Sequence, residues 1–411
     1  MVIYLDHAAT TPLRVEAREA WLRASATSGN ASSIHSAGQS ARRLLEESRE
    51  RLAAVVDCDP VEVVFTSGGT ESVNLAITGL YRSRREADDR TTIVLPRAEH
   101  HATLDTVGWL AAHEGARVGS VGVDATARLD LDTWRAALAD PDAAVATLLA
   151  ANNEVGTVQP VRDAAAASAT AAVPMHLDAV GAFGHVPLSF RRLRERSGSS
   201  SAGLVAMSIA AHKLGGPAGV GALIVARSAT MQPLLHGGGQ QRGLRSGTQD
   251  AAGAAAFAVA AELAFDELNA ESARLAALRG RLEAGVRRLI PDVRVSAGDA
   301  ERLPGHLHLI FPGAQGDSLL LLLDMAGIAV STGSACQAGV PEPSHVVAAM
   351  GLGDEAARSA LRLTLGATTT DEDVDAVLRA LPAAYERART AGMSSRKVGH
   401  RPPRLAPGIR S

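Results

Sequence analysis

The sequence predicts an α/β protein: a large domain on a mainly parallel sheet covered by helices, joined to a smaller α+β domain. Three observations carry this expectation. Between about Asp57 and Arg227, short apolar runs alternate with helix-like segments, the pattern of crossover units. From about Ala251 the pattern gives way to a long Ala/Leu/Arg helical stretch with short, scattered strand-like pieces. The 411 residues, 46% hydrophobic and 21% charged, suffice for two or three packed domains and argue against wholesale disorder.

Taken in order, Val61–Thr66, Thr91–Pro96, Val145–Ala150, Pro174–Leu177, Leu204–Ile209 and Val220–Val225 read as buried strands. Helices lie between most of them, among them Glu71–Arg84 and Leu104–Glu114. Arg191–Ala202, Arg-rich and then Ser/Gly-rich, reads as a mobile surface loop. Ala251–Arg288 reads as a long helix broken near Gly280. Strands Val293–Ser296, Leu307–Phe311 and Ile328–Ser331 follow, with helices at Ser318–Met325 and Thr370–Ala388. The tail from Gly392 holds Arg396, Lys397, Arg401, Arg404 and Arg410, three prolines and no acids, and reads as disordered.

Composition narrows the class of function. A net charge of −3 argues against a protein whose main partner is a phosphate backbone, so no direct nucleic-acid partner is expected. No run approaches the ~18 apolar residues of a membrane span. The start, Met-Val-Ile-Tyr-Leu-Asp, lacks the basic and apolar regions of a signal peptide. Two cysteines, Cys58 and Cys336, make no disulfide framework, so a cytoplasmic location is expected. Only two lysines occur, Lys213 and Lys397, every other basic residue being arginine. Codon bias explains the scarcity and makes Lys213, the one lysine outside the tail, the first candidate for chemistry.

In a parallel sheet, ligands sit outside the carboxyl ends of the strands. Ser67–Glu71, Glu99–His101, Asn152–Glu154, Asp178 and His212–Lys213 all fall just after predicted strands. In Thr66-Ser-Gly-Gly-Thr-Glu-Ser72, Gly69 and its neighbours let the backbone approach a ligand. The helix N-terminus attracts an anion, and Thr70 adds a hydroxyl. A desolvated Lys213 would have a lowered pKa and react as an amine with an aldehyde. Asp178 is placed to hold a pyridinium N–H, His100 to stack on an aromatic ring, and Asn153 to donate to a phenolate oxygen. Each has an ordinary alternative: a capped turn, a surface lysine, an N-cap aspartate, a hydrogen-bonded structural histidine, a turn asparagine. Together they form the inventory that pyridoxal 5'-phosphate requires. Cys336, among small residues in Val330-Ser-Thr-Gly-Ser-Ala-Cys-Gln-Ala-Gly339, has the setting of an accessible nucleophile, whereas Cys58 between Asp57 and Asp59 does not.

The chain also carries Tyr4-Leu-Asp-His-Ala-Ala-Thr-Thr-Pro12, Gly29-Asn-Ala-Ser-Ser-Ile-His35, Asn152-Asn-Glu-Val-Gly156, Arg245-Ser-Gly-Thr248 and Ser334-Ala-Cys336. With the motifs above, and in this order, they resemble the group I cysteine desulfurases, fold-type I enzymes that use pyridoxal phosphate. The resemblance runs from about Tyr4 to Ala388. It implies a homodimer with a large cofactor domain (15–255), a small domain from 1–14 and 256–390, and a tail at 391–411. It implies that Lys213 holds the cofactor and moves protons, and that Cys336 takes the sulfur of L-cysteine as a persulfide. His100 would stack on the ring, Asp178 pair with its nitrogen and Asn153 meet its oxygen side. Gly69, Thr70 and His212 would bind phosphate, Thr248 would reach over from the second subunit, and Arg362 would clamp the substrate carboxylate. The sulfur acceptor would be an iron–sulfur scaffold or a tRNA-thiolation enzyme.

Two positions depart from that family. Gly181 stands where glutamine is usual, and Ala210 where serine is usual, so two polar contacts to the cofactor are expected to be missing. The rival expectations are another fold-type I lyase or aminotransferase that uses Lys213 without Cys336, and a poorly active sulfur-assembly platform.

Overall fold

The computed structural model describes residues 2–195, 200–333 and 343–398, with side chains to 391. Twelve strands are described: β1 (Ile3–Tyr4), β2 (Val63–Thr66), β3 (Thr92–Pro96), β4 (Arg117–Val121), β5 (Ala143–Leu149), β6 (Pro174–Asp178), β7 (Gly203–Ala210), β8 (Gly221–Val225), β9 (Arg294–Val295), β10 (His306–Ile310), β11 (Ile328–Ala329) and β12 (Ala360–Thr364). Seven form one sheet in the order β2-β8-β7-β6-β5-β3-β4, in which only β8 runs against its neighbours. This is the expected α/β architecture, and all six predicted strands of this region are present.

β5 to β8 are buried along their whole length, because helices cover both faces and the strands are correspondingly Val/Ile/Leu/Ala-rich. One polar row crosses this apolar interior. Thr147 Oγ1 lies 2.9 Å from His176 Nδ1, and His176 Nε2 lies 2.8 Å from Ser208 Oγ, linking β5, β6 and β7. Burial lowers the His176 pKa to about 3, so the ring is neutral and its two nitrogens are both used. The sequence pattern did not reveal β4, whose residues 117, 118 and 120 are exposed; it is an edge strand tied down by Arg117 to Asp142.

A second apolar core joins Leu5, Leu282, Leu307, Leu309, Phe311, Leu361 and Leu363 around the antiparallel sheet β12-β10-β9. β1 pairs in parallel with β11, so the first residues of the chain pack with its last third. The helix Ala251–Leu289 serves both cores, burying Ala254–Ala264 in the first and Leu275–Val286 in the second. At 39 residues it is unbroken, contrary to the break expected near Gly280. An added Cβ at Gly280 would meet nothing within 4 Å, so the residue lies on an open face where glycine costs only helix propensity. The division expected at 255 falls inside this helix.

Two other expectations change. The segment read as a mobile loop from Arg191 begins as a helix, Phe190–Arg194, with Arg191 paired to Asp57 and Asp59 and Arg194 donating to the Leu204 carbonyl. Residues 196–199 of that segment lie outside the described residues. The helix Asp371–Val398 runs into what was read as a disordered tail from Gly392; residues 399–411, with Arg401, Arg404 and Arg410, lie outside the described residues.

Leu5, 1% exposed, anchors the N-terminal segment in the second core. Leu5→Ala is expected to cost about 2–5 kcal/mol, read as a lower midpoint in urea unfolding.

Candidate active site

The carboxyl edge of the large sheet faces the second core across a cavity of about 430 Å³. Its walls include Gly69, Thr70, His100, Asn153, Asp178, His212, Lys213 and Arg362, so residues from six places in the sequence meet in one space. Thr248 does not line it and is exposed. Cys336 lies outside the described residues; Gly333, three positions before it, is part of the wall.

Lys213 follows β7 in a short 3₁₀ turn. Its Nζ donates to the carbonyls of Ala8 and of Ala9, the latter at 2.9 Å. Burial, and then the charge of Arg362, lower its pKa to about 8, while Asp6 and Asp178 oppose the shift. Asp178, 3% exposed at the end of β6, accepts from Val180 N at 3.0 Å. Burial raises its carboxyl to about 6, with that hydrogen bond and Lys213 pulling the other way. His100 caps the helix His101–Glu114: Nδ1 accepts from Ala102 N at 3.0 Å. Burial, then Lys213, lower its pKa to about 4. The neutral ring therefore carries its proton on Nε2. It is both the structural cap and a ring on the cavity wall.

The loop after β5 is built by Asn152, whose Oδ1 accepts from Glu154 N (2.9 Å) and Val155 N (3.0 Å) and whose Nδ2 donates to Ala98 O (3.0 Å). Gly156, at φ +82°, lets this loop press on His306, where a Cβ would come within 2.5 Å of the His306 Cβ. The loop presents the Asn153 carbonyl to Arg362 Nη1 at 2.9 Å. Arg362 extends from β12, 5% exposed, with Nη2 on Asp6 Oδ1 at 2.7 Å.

The donors suit pyridoxal phosphate. The first-turn amides of the helix Gly69–Asp88 have no acceptor within it. A Cβ at Gly69 would lie 2.7 Å from Val180 Cγ2, so a side chain here would have to displace Val180. His212 Nδ1 lies 3.3 Å from Thr10 Oγ1, and burial lowers its pKa to about 4, so the ring is neutral. An amine, a buried carboxylate and an imidazole complete the set.

The two departures have physical consequences. Gly181 lines the cavity with only the Ala151 carbonyl, at 3.9 Å, near an added Cβ, so space for a longer side chain is present. Ala210 ends β7 beside Gly69, with no hydroxyl to offer. Ser208, two residues earlier, is committed to His176. Residues that sequence reasoning passed over include His7, His185, His306 and His345 on the wall and Asp6 behind Arg362. His7 and Asp6 stand inside a quoted motif, but nothing in local spacing says what they meet.

The fold and the cavity together define a pyridoxal-phosphate enzyme of the α/β class. Residues 3–377 match the Aminotransferase class-V family. The IscS-like cysteine desulfurase of Mycobacterium tuberculosis is 49% identical over 95% of this chain and 98% of its own length. A cysteine desulfurase of Gluconacetobacter diazotrophicus is 39% identical over 94% of each chain. Among solved structures, a NifS-like protein superposes with a TM-score of 0.84 at 33% identity, covering 94% of this chain and 99% of that one. DndA from Streptomyces lividans superposes at 0.72 with 32% identity over 88% and 99%. The chain belongs to the aminotransferase class-V family, as a group I cysteine desulfurase dependent on pyridoxal phosphate.

An amine reacts as its free base, so a pKa of about 8 makes Lys213 reactive well below the range of an ordinary lysine. In cofactor-free protein, the rate of Lys213 acylation is expected to rise with a midpoint near pH 8, followed by peptide mass spectrometry. A midpoint above about 10 would contradict the burial argument.

Proposed function

We propose that this cysteine desulfurase carries the sulfur of L-cysteine as a persulfide on Cys336. It then hands the sulfur, in the cytoplasm, to an acceptor protein of iron–sulfur assembly or tRNA thiolation. The observation that carries this reading is the convergence of Lys213, Asp178 and Arg362 on one cavity whose rim, at Gly333, leads directly into the segment bearing Cys336.

When bound, pyridoxal phosphate draws electron density from the substrate α-carbon. In this reading the helix N-terminus at Gly69, with Thr70 and His212, would hold the phosphate. Asp178 would keep the ring nitrogen protonated, His100 would stack on the ring and Asn153 would meet its oxygen side. Arg362 orients the substrate through its carboxylate. Lys213, its pKa lowered by burial, takes and returns the proton at the substrate carbon. The Cys336 thiolate attacks the substrate sulfur. The carbon–sulfur bond breaks, its electron pair stays with the carbon skeleton, and protonation there gives alanine.

A homodimer belongs to the same proposal. Thr248 is exposed and away from its own chain's cavity, which suits a hydroxyl that serves a second copy. Gly181 and Ala210 favour weak cofactor retention within this chemistry.

Purified protein given L-cysteine and a thiol reductant is expected to release sulfide and alanine in equal amounts. Cys336→Ser should abolish both and keep the bound-cofactor absorbance. Alanine formation that survives this substitution would indicate a lyase that does not use the cysteine. For the missing contacts, Gly181→Gln and Ala210→Ser are each expected to tighten cofactor binding about tenfold, since hydrogen bonds to charged groups contribute ~1.5–3 kcal/mol. Equilibrium dialysis reads this directly, and unchanged affinity in both variants would remove these positions from the account.

A further inference from the structure

Arg362 does not face the cavity unaccompanied. Nη1 is given to the Asn153 carbonyl at 2.9 Å and Nη2 to Asp6 Oδ1 at 2.7 Å. Nε is buried and has no hydrogen-bond partner among the described residues. Asp6 thus engages the guanidinium through one oxygen and one nitrogen. A carboxylate present only to neutralise a buried arginine would gain more from a two-point pairing, which the geometry of both groups favours. The single contact instead leaves a buried donor for another acceptor.

The placement of Asp6 does not depend on its side chain. Main-chain N–H groups of Ala9 and Thr10 donate to the Asp6 carbonyl at 3.0 and 3.4 Å. The Tyr4 hydroxyl lies against the carbonyls of Asp6 (3.0 Å) and Thr10 (2.8 Å), and Ala8 N donates to Thr364 Oγ1 at 2.9 Å. This turn also supplies the Ala8 and Ala9 carbonyls that accept from Lys213. One short segment therefore touches both cationic side chains of the cavity, and it brings one negative charge, to the guanidinium.

We propose that Asp6 sets the carboxylate affinity of the substrate pocket: it is a resident carboxylate that shares Arg362 with the incoming amino acid, holds the guanidinium in place and repels the amino acid's own carboxylate. This rests on the assignment of Arg362 as the residue that receives the substrate carboxylate. Cysteine and alanine carry the same carboxylate, so Asp6 weakens both. The gain is at the end of the cycle, because a product held by an unopposed buried arginine would leave slowly. Asp6 is in this sense a positioning residue that acts through Arg362. Two carboxylates held by one guanidinium sit close enough, in a partly desolvated site, for their repulsion to change affinity by roughly tenfold or more.

The test uses the holoenzyme, with dissociation constants for L-alanine and for ethylamine, which is alanine without its carboxylate, measured by calorimetry. KM and kcat for L-cysteine are measured beside them. Asp6→Asn keeps an acceptor for Nη2 and removes the charge; it is expected to bind L-alanine about tenfold more tightly and to lower KM without raising kcat. Its ethylamine affinity should be unchanged. Asp6→Ser, which leaves every main-chain hydrogen bond of the turn available, should shift alanine in the same direction. If Arg362→Gln leaves alanine affinity untouched, the assignment of Arg362 fails and the role of Asp6 falls with it. If Arg362→Gln weakens alanine while neither Asp6 variant tightens it, the proposal for Asp6 alone is overturned. A parallel tightening of ethylamine in the Asp6 variants also overturns it, since the effect would then not run through the carboxylate.

Discussion

A parallel sheet covered on both faces leaves no room for polar side chains along its strands, and this constraint arranges the rest of the molecule. Polar residues are pushed to the strand ends, and parallel pairing puts those ends on one edge. Glu99 and His100 therefore follow β3, Asn152–Glu154 follow β5, Asp178 ends β6, and His212–Lys213 follow β7. The Thr147–His176–Ser208 row is the exception within the strands, and it is tolerated because each polar side chain finds a partner in the neighbouring strand.

Concentrating these groups at a buried edge changes their acid–base character. Burial is the leading cause of the shifts at Lys213, Asp178 and His100 alike, and each shift favours the uncharged form. The amine becomes a base near neutrality, the carboxyl approaches the same range from below, and the imidazole is held neutral. The Arg362 guanidinium at the same site finds its counter-charge at the opposite end of the chain, in Asp6.

Much of this edge was legible in the sequence, because strand-to-helix alternation and the residues after each strand are local patterns. The Gly-rich turn, His100, Asp178 and Lys213 all fall on the cavity wall. What local pattern could not supply is contact between distant parts of the chain. Asp6 and Arg362 are 356 positions apart, and no periodicity links them. The edge strand β4 was missed for a different reason: with several residues exposed, it lacks the apolar run that marks its buried neighbours. Gly280 misled because glycine is read as a breaker, whereas an exposed helix face accommodates it at modest cost.

The separation of Asp6 from Arg362 also fixes an order of events during synthesis. At translation rates of about 5–20 residues per second, Asp6 waits roughly 20 to 70 s for its arginine to be made. Every strand of the large sheet, and Lys213 with it, precedes residue 226 and has time to pair in that interval. A nascent chain therefore contains Lys213 well before it contains Arg362, whose charge, with burial, lowers the pKa of that lysine. The strap from Leu5 to Ala9 closes over the lysine only once β11 and β12 have emerged. Assembly of the catalytic pocket is thus among the last acts of folding, and the nearly complete polypeptide is the earliest form in which sulfur chemistry can begin.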